Sequence, residues 1–260
     1  MNGWLIYDKR DAERNAWFIG RLIDLASERG LTLTLKTDED FSVLPDFAIV
    51  RSILPKVNAT LEKKGVRTFN NAKTAEIACD KYKTYLFCKE RGIPVLPTAR
   101  EWRQEIGFPC IVKTVDGHGG AEVFEAQTQE TVARLQREYK NTIVQKRNEI
   151  VGEDMRVYAI GGEIVAGVLR KSQTDFRSNF SLGGQVRLAQ VDETQKAIVR
   201  KLYEELKFDF IGVDFLPNGK GGWILNEMED SAGSRMLYSL SNIDIAKEYI
   251  QYIKKQVCVE

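Results

Sequence analysis

Three acidic residues late in the chain are the first candidates for chemistry. Asp214 lies in the segment IGVDFLP, and Glu227 and Glu229 lie in WILNEME, with the turn-forming sequence PNG between the two segments. The alternation of apolar and polar residues on both sides of this turn predicts a β-hairpin. Glu227 and Glu229 then project from one face, because side chains alternate along a strand.

The register of the hairpin decides whether Asp214 joins the two glutamates. If Leu216 pairs with Trp223, Asp214 lies opposite Leu225, on the face that carries both glutamates, whereas a slip of one residue separates them. Converging carboxylates repel each other unless a cation lies between them or one stays protonated. Such an all-oxygen ligand set suits Mg²⁺, which commonly shares its coordination shell with phosphates. The alternative is a solvated hairpin face with ordinary acidic residues.

A lysine followed by a glycine-rich turn is the second candidate. Lys113 lies in the apolar segment PCIVKTV, and DGHGG at 116–120 separates it from a second predicted strand at 121–126. A lysine among apolar residues is costly unless it meets an anion, and glycines leave backbone N–H groups open to phosphate oxygens. The pattern predicts a flap over a nucleotide phosphate, with a plain hairpin turn as the alternative.

The segments that must position these residues predict two domains. Strands and helices alternate in residues 1–75, which is typical of a small α/β domain with a parallel sheet. The predicted elements of this part are strands at 3–7, 31–36, 47–50 and 66–69 and helices at 11–29 and 58–64. A long helix at 71–91 and a proline-containing linker at 92–98 mark the boundary.

The second predicted domain spans residues 76–260. Its first half, 76–148, contains the flap, and its second half, 149–260, contains the acidic hairpin. Its other predicted elements are a helix at 128–139, a strand at 142–146, a β-hairpin at 152–171 and helices at 192–206 and 243–255. A polar loop at 175–184 separates two β-rich regions, a place where ligand-binding residues are often found.

Composition excludes several other classes of function. The formal net charge is only +1, so charge gives no reason to expect nucleic acid or a membrane as a partner. No apolar run could span a bilayer and the N-terminus lacks the shape of a signal peptide, so we expect a cytoplasmic protein. The four cysteines form no CxxC pair and His118 is the single histidine, which argues against a zinc site and a histidine-dependent nucleophile. We expect buried, reduced thiols.

With these features in this order, the chain resembles the ATP-grasp superfamily and, within it, the RimK-type carboxylate–amine ligases. The motifs that carry the resemblance are Lys81, Lys113 with its glycine-rich turn, Asp154-x-Arg156, FRSN at 176–179 with GG at 183–184, GVDF at 212–215 and the acidic hairpin. The likeness covers essentially the whole chain and is densest over residues 79–235. It implies an ATP-grasp fold of the α/β (α+β) class behind a pre-ATP-grasp domain at 1–75.

The resemblance also implies roles for individual residues. The lysines would contact phosphates, 145–148 would read adenine through the backbone, and Asp154 would lie near the ribose. The residues implied to bind the nucleotide are Lys81, Lys113, Gly119, Gly120, Gln145, Lys146, Arg147, Asp154, Ser178 and Asn179. The implied catalytic residues are Arg177 and Arg235, and the implied metal ligands are Asp214, Glu227 and Glu229. Similar enzymes usually carry Asn in place of Glu229, and here residues 230–233 read DSAG in place of a small-residue, proline, glycine run.

The implied activity is that of an ADP-forming ligase that joins a carboxylate to the amine of an amino acid or peptide through an acyl phosphate. ATP and two Mg²⁺ ions are the implied cofactors, with Mn²⁺ as an alternative, and the chain could form a homo-oligomer. Two other hypotheses stay open: an ATP-binding regulatory module without turnover, suggested by Glu229 and Ser231, and a small-molecule kinase on the same fold. Five arginines could line an acidic-substrate pocket or form ordinary ion pairs: Arg51, Arg156, Arg170, Arg187 and Arg235. Arg235 is the strongest candidate, because it lies just beyond the metal motif.

Overall fold

Three β-sheets organise the chain in a computed structural model that describes residues 1–117, 122–172 and 185–258. The first sheet is parallel, with strand order β2-β1-β3-β4. Its strands are β1 (Asn2–Ile6), β2 (Thr32–Lys36), β3 (Phe47–Val50) and β4 (Arg67–Phe69). The helices beside it are α1 (Lys9–Arg14), α2 (Ala16–Ser27) and α3 (Pro55–Lys63). The predicted parallel sheet is therefore confirmed, and the domain boundary at residue 75 stays a prediction.

Two predicted long helices are each interrupted. The helix predicted at 11–29 breaks at Asn15, which has a non-helical backbone and whose side chain donates to the Asp11 carbonyl at 2.8 Å. The helix predicted at 71–91 is wrong as one element and forms α4 (Ala72–Ala78) and α5 (Lys81–Glu90). Asp80 separates them, because its carboxylate accepts hydrogen bonds from the first-turn N–H groups of α5. Lys81 consequently begins a helix.

The second sheet is antiparallel and carries the predicted flap strands. Its order is β5-β8-β6-β7. Its strands are β5 (Thr98–Ala99), β6 (Cys110–Thr114), β7 (Val123–Ala126) and β8 (Thr142–Lys146), with α6 (Gln129–Glu138) packed against them. The strand β5, which begins at the last residue of the predicted linker, was not predicted.

The third sheet is antiparallel and contains the acidic hairpin. Its order is β11-β10-β9-β12-β13. Its strands are β9 (Glu153–Ile160), β10 (Glu163–Lys171), β11 (Gln185–Ala189), β12 (Phe210–Pro217) and β13 (Trp223–Glu229). The remaining helices are α7 (Glu193–Leu206), α8 (Arg235–Leu240) and α9 (Ile245–Val257). Sequence patterns did not predict β11 or α8.

One hydrophobic cluster joins the first sheet to the third. Phe47 and Phe69 of the first sheet are fully buried with Tyr158, Phe210 and Tyr249 of the third sheet and its closing helix. Aromatic side chains bury large apolar areas, so this contact holds the two sheets in a defined relation. Within the described ranges, no helix is both long enough and apolar enough to cross a membrane.

Candidate active site

A cleft of about 640 Å³ lies where the three sheets meet. The second sheet contributes Lys113 and Gln145 to its wall, the third sheet contributes Asp214 and Glu227, and the first sheet contributes Arg51 just after β3. This volume lies within the range of pockets that hold cofactors and small substrates. The predicted site residues are therefore expected to line this cleft.

A β-bulge aims the acidic hairpin into the cleft. The predicted pairing of Leu216 with Trp223 is wrong by one residue, because Leu216 pairs with Ile224. That register alone would set Asp214 opposite Asn226 and turn the glutamates to the core face. An irregularity beyond Phe215 inserts one extra residue, so Asp214 instead pairs with Glu227. The prediction that the three carboxylates share a face is therefore confirmed, although Leu225 faces the opposite side, in the core.

Two lysines converge on Glu227. The ammonium group of Lys113, which is only 3% exposed, donates to Glu227 Oε1 at 2.8 Å. Lys81 Nζ lies 3.8 Å from Glu227 Oε2 and also donates to the carbonyl of Gly117, at the start of the glycine-rich turn. Its backbone N–H donates to Val115 O at 3.0 Å, which fixes the start of α5 against the end of β6. Lys113 therefore pairs with an anion, as its position in an apolar strand predicted.

Two arginines hold the other carboxylates of the cleft. Arg156 lies directly opposite Asp214 in the sheet, and its Nε and Nη2 donate to the two Asp214 oxygens at 2.7 Å each. Arg156 Nη2 also donates to Glu229 at 2.5 Å. Arg170 bridges Asp154 and Asp214, with 2.8 Å contacts to one oxygen of each. Direct cross-strand pairing is the signal that could have identified both arginines as site residues.

Charge is balanced within this buried cluster. Four carboxylates face four cations, and these groups are Asp154, Asp214, Glu227, Glu229, Lys81, Lys113, Arg156 and Arg170. Burial would raise the pKa of Glu227, but Lys113 and Lys81 together lower it below its usual value. Burial likewise opposes ionisation of Asp214, yet Arg156 and Arg170 hold its pKa far below the ordinary range. At Glu229, burial outweighs Arg156 and raises the pKa.

The carboxylates present the oxygen donors that a hard divalent ion prefers. In the described part of the chain, no three His, Cys, Asp or Glu side chains are grouped so that they could hold a metal ion together. The lysines and arginines supply the counter-charge here. Magnesium binding by Asp214, Glu227 and Glu229 therefore stays a prediction: their oxygens are suitable donors, but the described side chains are not grouped around one metal position.

The segment predicted to read adenine lines the cleft, and Asn148 at its end donates to the Pro217 carbonyl of the hairpin at 2.9 Å. Gln145 is buried in β8 and donates to Thr98 Oγ1 at 3.2 Å. Lys146 is exposed at its side chain, while its backbone N–H donates to Pro97 O at 2.8 Å. The Arg147 guanidinium pairs with Glu125 of β7. These contacts order the segment and leave its predicted nucleotide role untested.

The remaining predicted site residues fall into two groups. Five lie outside the described residues, and these are Gly119, Gly120, Arg177, Ser178 and Asn179. Arg235 lines the cleft and donates to the backbone carbonyl of Arg14. Arg51 also lines the cleft and is buried, whereas Arg187 is exposed on β11 and does not line it.

The cysteines bear out only part of their prediction. All four are free thiols. Cys88 and Cys110 are buried, but Cys258 is exposed, which corrects the expectation of buried thiols. Cys79 lines the cleft, and burial raises its pKa well above the ordinary value, so it is not an activated nucleophile.

Known proteins resemble this chain over most of its length. Glutamate–LysW ligase ArgX from Sulfurisphaera tokodaii is 28% identical over 233 residues, which cover 83% of this chain and 82% of that protein. A probable alpha-L-glutamate ligase from Histophilus somni is 28% identical over 239 residues, covering 82% and 79%. The crystal structure of D-cycloserine synthetase DcsG has the same fold, with a TM-score of 0.75 and 18% identity over 99% of this chain and 100% of that one.

A family model gives the assignment. The model of the RimK-like ATP-grasp domain matches residues 98–253, which is more than half of the chain. The match begins at β5 and includes the flap strands, the paired arginines and the bulged acidic hairpin that form the cleft. On this match and this geometry, the chain belongs to the RimK-like ATP-grasp family of carboxylate–amine ligases.

Proposed function

We propose that this protein uses ATP to join the carboxylate of one substrate to the amine of an amino acid or peptide, releasing ADP and phosphate. The observation that carries the proposal is the convergence of Lys81 and Lys113 on Glu227 in the wall of the cleft. A buried lysine and a partly buried one next to carboxylates provide cations for a triphosphate and oxygen donors for its metal. The relatives named as glutamate ligases support the same class of reaction.

The proposed reaction has two steps. A substrate carboxylate oxygen attacks the γ-phosphorus of ATP, the bond to the β-phosphate oxygen breaks, and an acyl phosphate and ADP form. The neutral amine then attacks the acyl carbon, phosphate leaves, and the amide nitrogen loses a proton to solvent. Lys81 and Lys113 would stabilise charge on the phosphates, and Arg177 and Arg235 would stabilise the acyl phosphate and the oxyanion. Positioning and charge supply the catalysis, so a histidine base is unnecessary.

ATP-grasp ligases generally use Mg²⁺ with ATP, and the hairpin carboxylates Asp214, Glu227 and Glu229 would hold it here. When bound, the metal neutralises charge on the phosphate oxygens. We propose that two metal ions bind with ATP and that Mn²⁺ can replace Mg²⁺. Arg156 and Arg170 would orient the ligand carboxylates, since both already hold Asp214, from β9 next to its strand and from β10 one strand further away.

The test is a matrix of carboxylates and amines, chosen among amino acids and short peptides, with release of ADP measured and products identified by mass spectrometry. Glu227→Gln should abolish ADP release, while Glu163→Gln, a change at an exposed glutamate on β10, should leave it unchanged. An amide product that appears together with ADP supports the proposal. Tight ATP binding without ADP release from any pair would overturn it.

One observation favours a second candidate, an ATP-binding module without turnover. Arg156 already engages both Asp214 and Glu229, so the hairpin carboxylates are neutralised before any ligand binds. Single-turnover cleavage of ATP in the presence of Mg²⁺ distinguishes the two functions when the wild type is compared with Glu227→Ala. Identical behaviour favours the binding module, and a stable phosphorylated product without an amide favours a kinase.

A further inference from the structure

The most exposed aromatic side chain in the described ranges lines the cleft. Trp17, in the first turn of α2, is 62% exposed, whereas the next most exposed aromatic residue, Phe108, is 39% exposed and does not line the cleft. A single exposed apolar residue on an ordinary surface needs no explanation. An exposed tryptophan in the wall of a ligand cleft is different, because a molecule bound there can reach it.

Trp17 belongs to an aromatic wall, which consists of Trp17, Phe18 and Tyr238. The ring centres of Trp17 and Tyr238 lie 4.9 Å apart, with the ring planes at 82°. Phe18 is buried, and its ring centre lies 6.4 Å from that of Tyr238. All three residues line the cleft. Perpendicular ring contacts are favourable, and this one leaves most of the Trp17 indole accessible to a ligand.

Polar contacts fix the two outer rings of the wall relative to each other. Tyr238 Oη donates to Asp244 Oδ1 at 2.7 Å and accepts from the backbone N–H of Ala246 at 3.1 Å. Asp244 Oδ2 in turn accepts from Arg21, at 3.1 Å from Nε and 2.5 Å from Nη2. Arg21 lies four residues after Trp17, on the same face of α2. These contacts join α2, α8 and α9, so both rings are held in place before a ligand binds.

Two arginines flank the aromatic wall. Arg14 and Arg235 are exposed and line the cleft, and Arg235 donates to the Arg14 carbonyl. Arg235 lies three residues before Tyr238 on α8, and Arg14 lies three residues before Trp17. Their guanidinium groups repel a cationic side chain, so a lysine or arginine of a ligand is disfavoured at the wall. An apolar side chain, by contrast, gains from leaving water and from contact with the indole.

We propose that the aromatic wall binds an aromatic or large apolar side chain of one of the two substrates. The inference rests on the proposed ligase function and deepens it, because it gives the class of side chain that the enzyme selects. Trp17 is then a specificity-determining residue, since the indole carries no group that takes part in phosphoryl or acyl transfer. Its role is to stabilise the bound side chain by stacking and by exclusion of water.

The experiment is isothermal titration of the full chain, with ADP and Mg²⁺ present, against compounds of phenylalanine, tryptophan, leucine, alanine, glutamate and lysine. Each is supplied as the free amino acid and in both dipeptides with alanine, since either substrate can carry the selected side chain. We expect a phenylalanine, tryptophan or leucine compound to bind at least about 10-fold more tightly than its alanine, glutamate and lysine counterparts, because only its side chain buries apolar surface on the wall.

Trp17→Ala should weaken binding of the best apolar compound by about 10- to 100-fold and leave binding of its alanine counterpart unchanged, because the loss is confined to the side chain. Trp17→Phe should restore most of the affinity, since it retains an aromatic face. Leu35→Ala is the matched control: Leu35, on β2, is 40% exposed but does not line the cleft, so both affinities should stay unchanged. Circular dichroism verifies the fold of each variant, and the preference of the wild type is decisive even if a variant does not fold.

Tightest binding by a glutamate or lysine compound, equal losses for apolar and alanine compounds in Trp17→Ala, or no binding by any compound would overturn the role of the aromatic wall. An oligomeric wild type that becomes monomeric in Trp17→Ala with an unchanged preference would also overturn it, because Trp17 would then contact a second copy of the chain. The two proposals fail separately. Selective binding without ADP release refutes the ligase and retains the wall. Amide formation with the same side-chain preference in the wild type and Trp17→Ala refutes the wall and retains the ligase.

Discussion

Replacing Lys113 by methionine should destabilise the free protein by about 3 kcal/mol while preserving the shape of the side chain. Removing one partner of a buried ion pair typically costs about 3–5 kcal/mol, because the other charge is left desolvated. Lys113 is 3% exposed and its Nζ lies 2.8 Å from Glu227 Oε1, so the cost typical of a buried ion pair applies to it. The unpaired glutamate is the source of the expected loss.

Lys81, the second lysine beside Glu227, determines how much stability the Lys113→Met variant loses. With an effective dielectric constant of about 20, an ion pair at the Lys113 distance of 2.8 Å is worth about 6 kcal/mol, and one at the Lys81 distance of 3.8 Å about 4 kcal/mol. Lys81 remains in the variant and continues to hold Glu227. The loss should therefore lie at the lower end of the range for buried pairs.

Urea denaturation of the free protein at neutral pH measures this loss. The double variant Lys113→Met/Glu227→Met removes both charges and should recover to within about 1.5 kcal/mol of the wild type, while neither variant releases ADP. Lowering the pH should reduce the penalty of the single variant, because protonation of Glu227 removes the unpaired charge. Wild-type stability in Lys113→Met, or additive losses in the double variant, would refute the buried-pair reasoning.

Other charged and reactive groups yield three more tests. Burial raises the pKa of Asp209 from 3.8 to about 6. The stability of the wild type, measured relative to Asp209→Asn, should therefore fall by up to about 3 kcal/mol as the pH rises from 3.8 to about 6. Parallel pH profiles of the two proteins in urea denaturation would contradict this. Arg156→Met removes the cation between two hairpin carboxylates and should lower the free energy of unfolding by about 3–5 kcal/mol. Mg²⁺ should then raise the melting temperature of this variant more than that of the wild type. An equal response to Mg²⁺ would count against the metal prediction. Cys258 is exposed, while burial raises the pKa of Cys88 to about 12 and of Cys110 to about 11. Cys258→Ser should therefore remove the fast reaction of the native protein with an aromatic disulfide reagent. A fast phase that persists in this variant would disprove this order of reactivity.

Local patterns were sufficient for much of the fold. The alternation of strands and helices predicted the parallel sheet, and a glycine pair at 161–162 predicted the turn between β9 and β10. Predictions failed where one side chain overrides a longer periodicity. Asp80 ends one helix and begins another by binding backbone N–H groups, and helical spacing on both sides conceals that interruption.

The sequence alone determined which residue types could do chemistry and roughly where they lie. An apolar strand around Lys113 implied an anionic partner, and the glutamates of β13 had to share a face because strand periodicity is local. These inferences need only neighbours in the chain. They hold whatever the rest of the fold does.

Only the tertiary structure decided how the charges are paired. The bulge beside Phe215 returns Glu227 to the side of Asp214, and no local pattern predicts such an insertion. Arg156 meets Asp214 because β9 pairs with β12, although 58 residues separate them in sequence. Arg51 reaches Ala232 from another sheet. Pairing between distant segments depends on register and packing across the whole core, and these are properties of the assembled sheets.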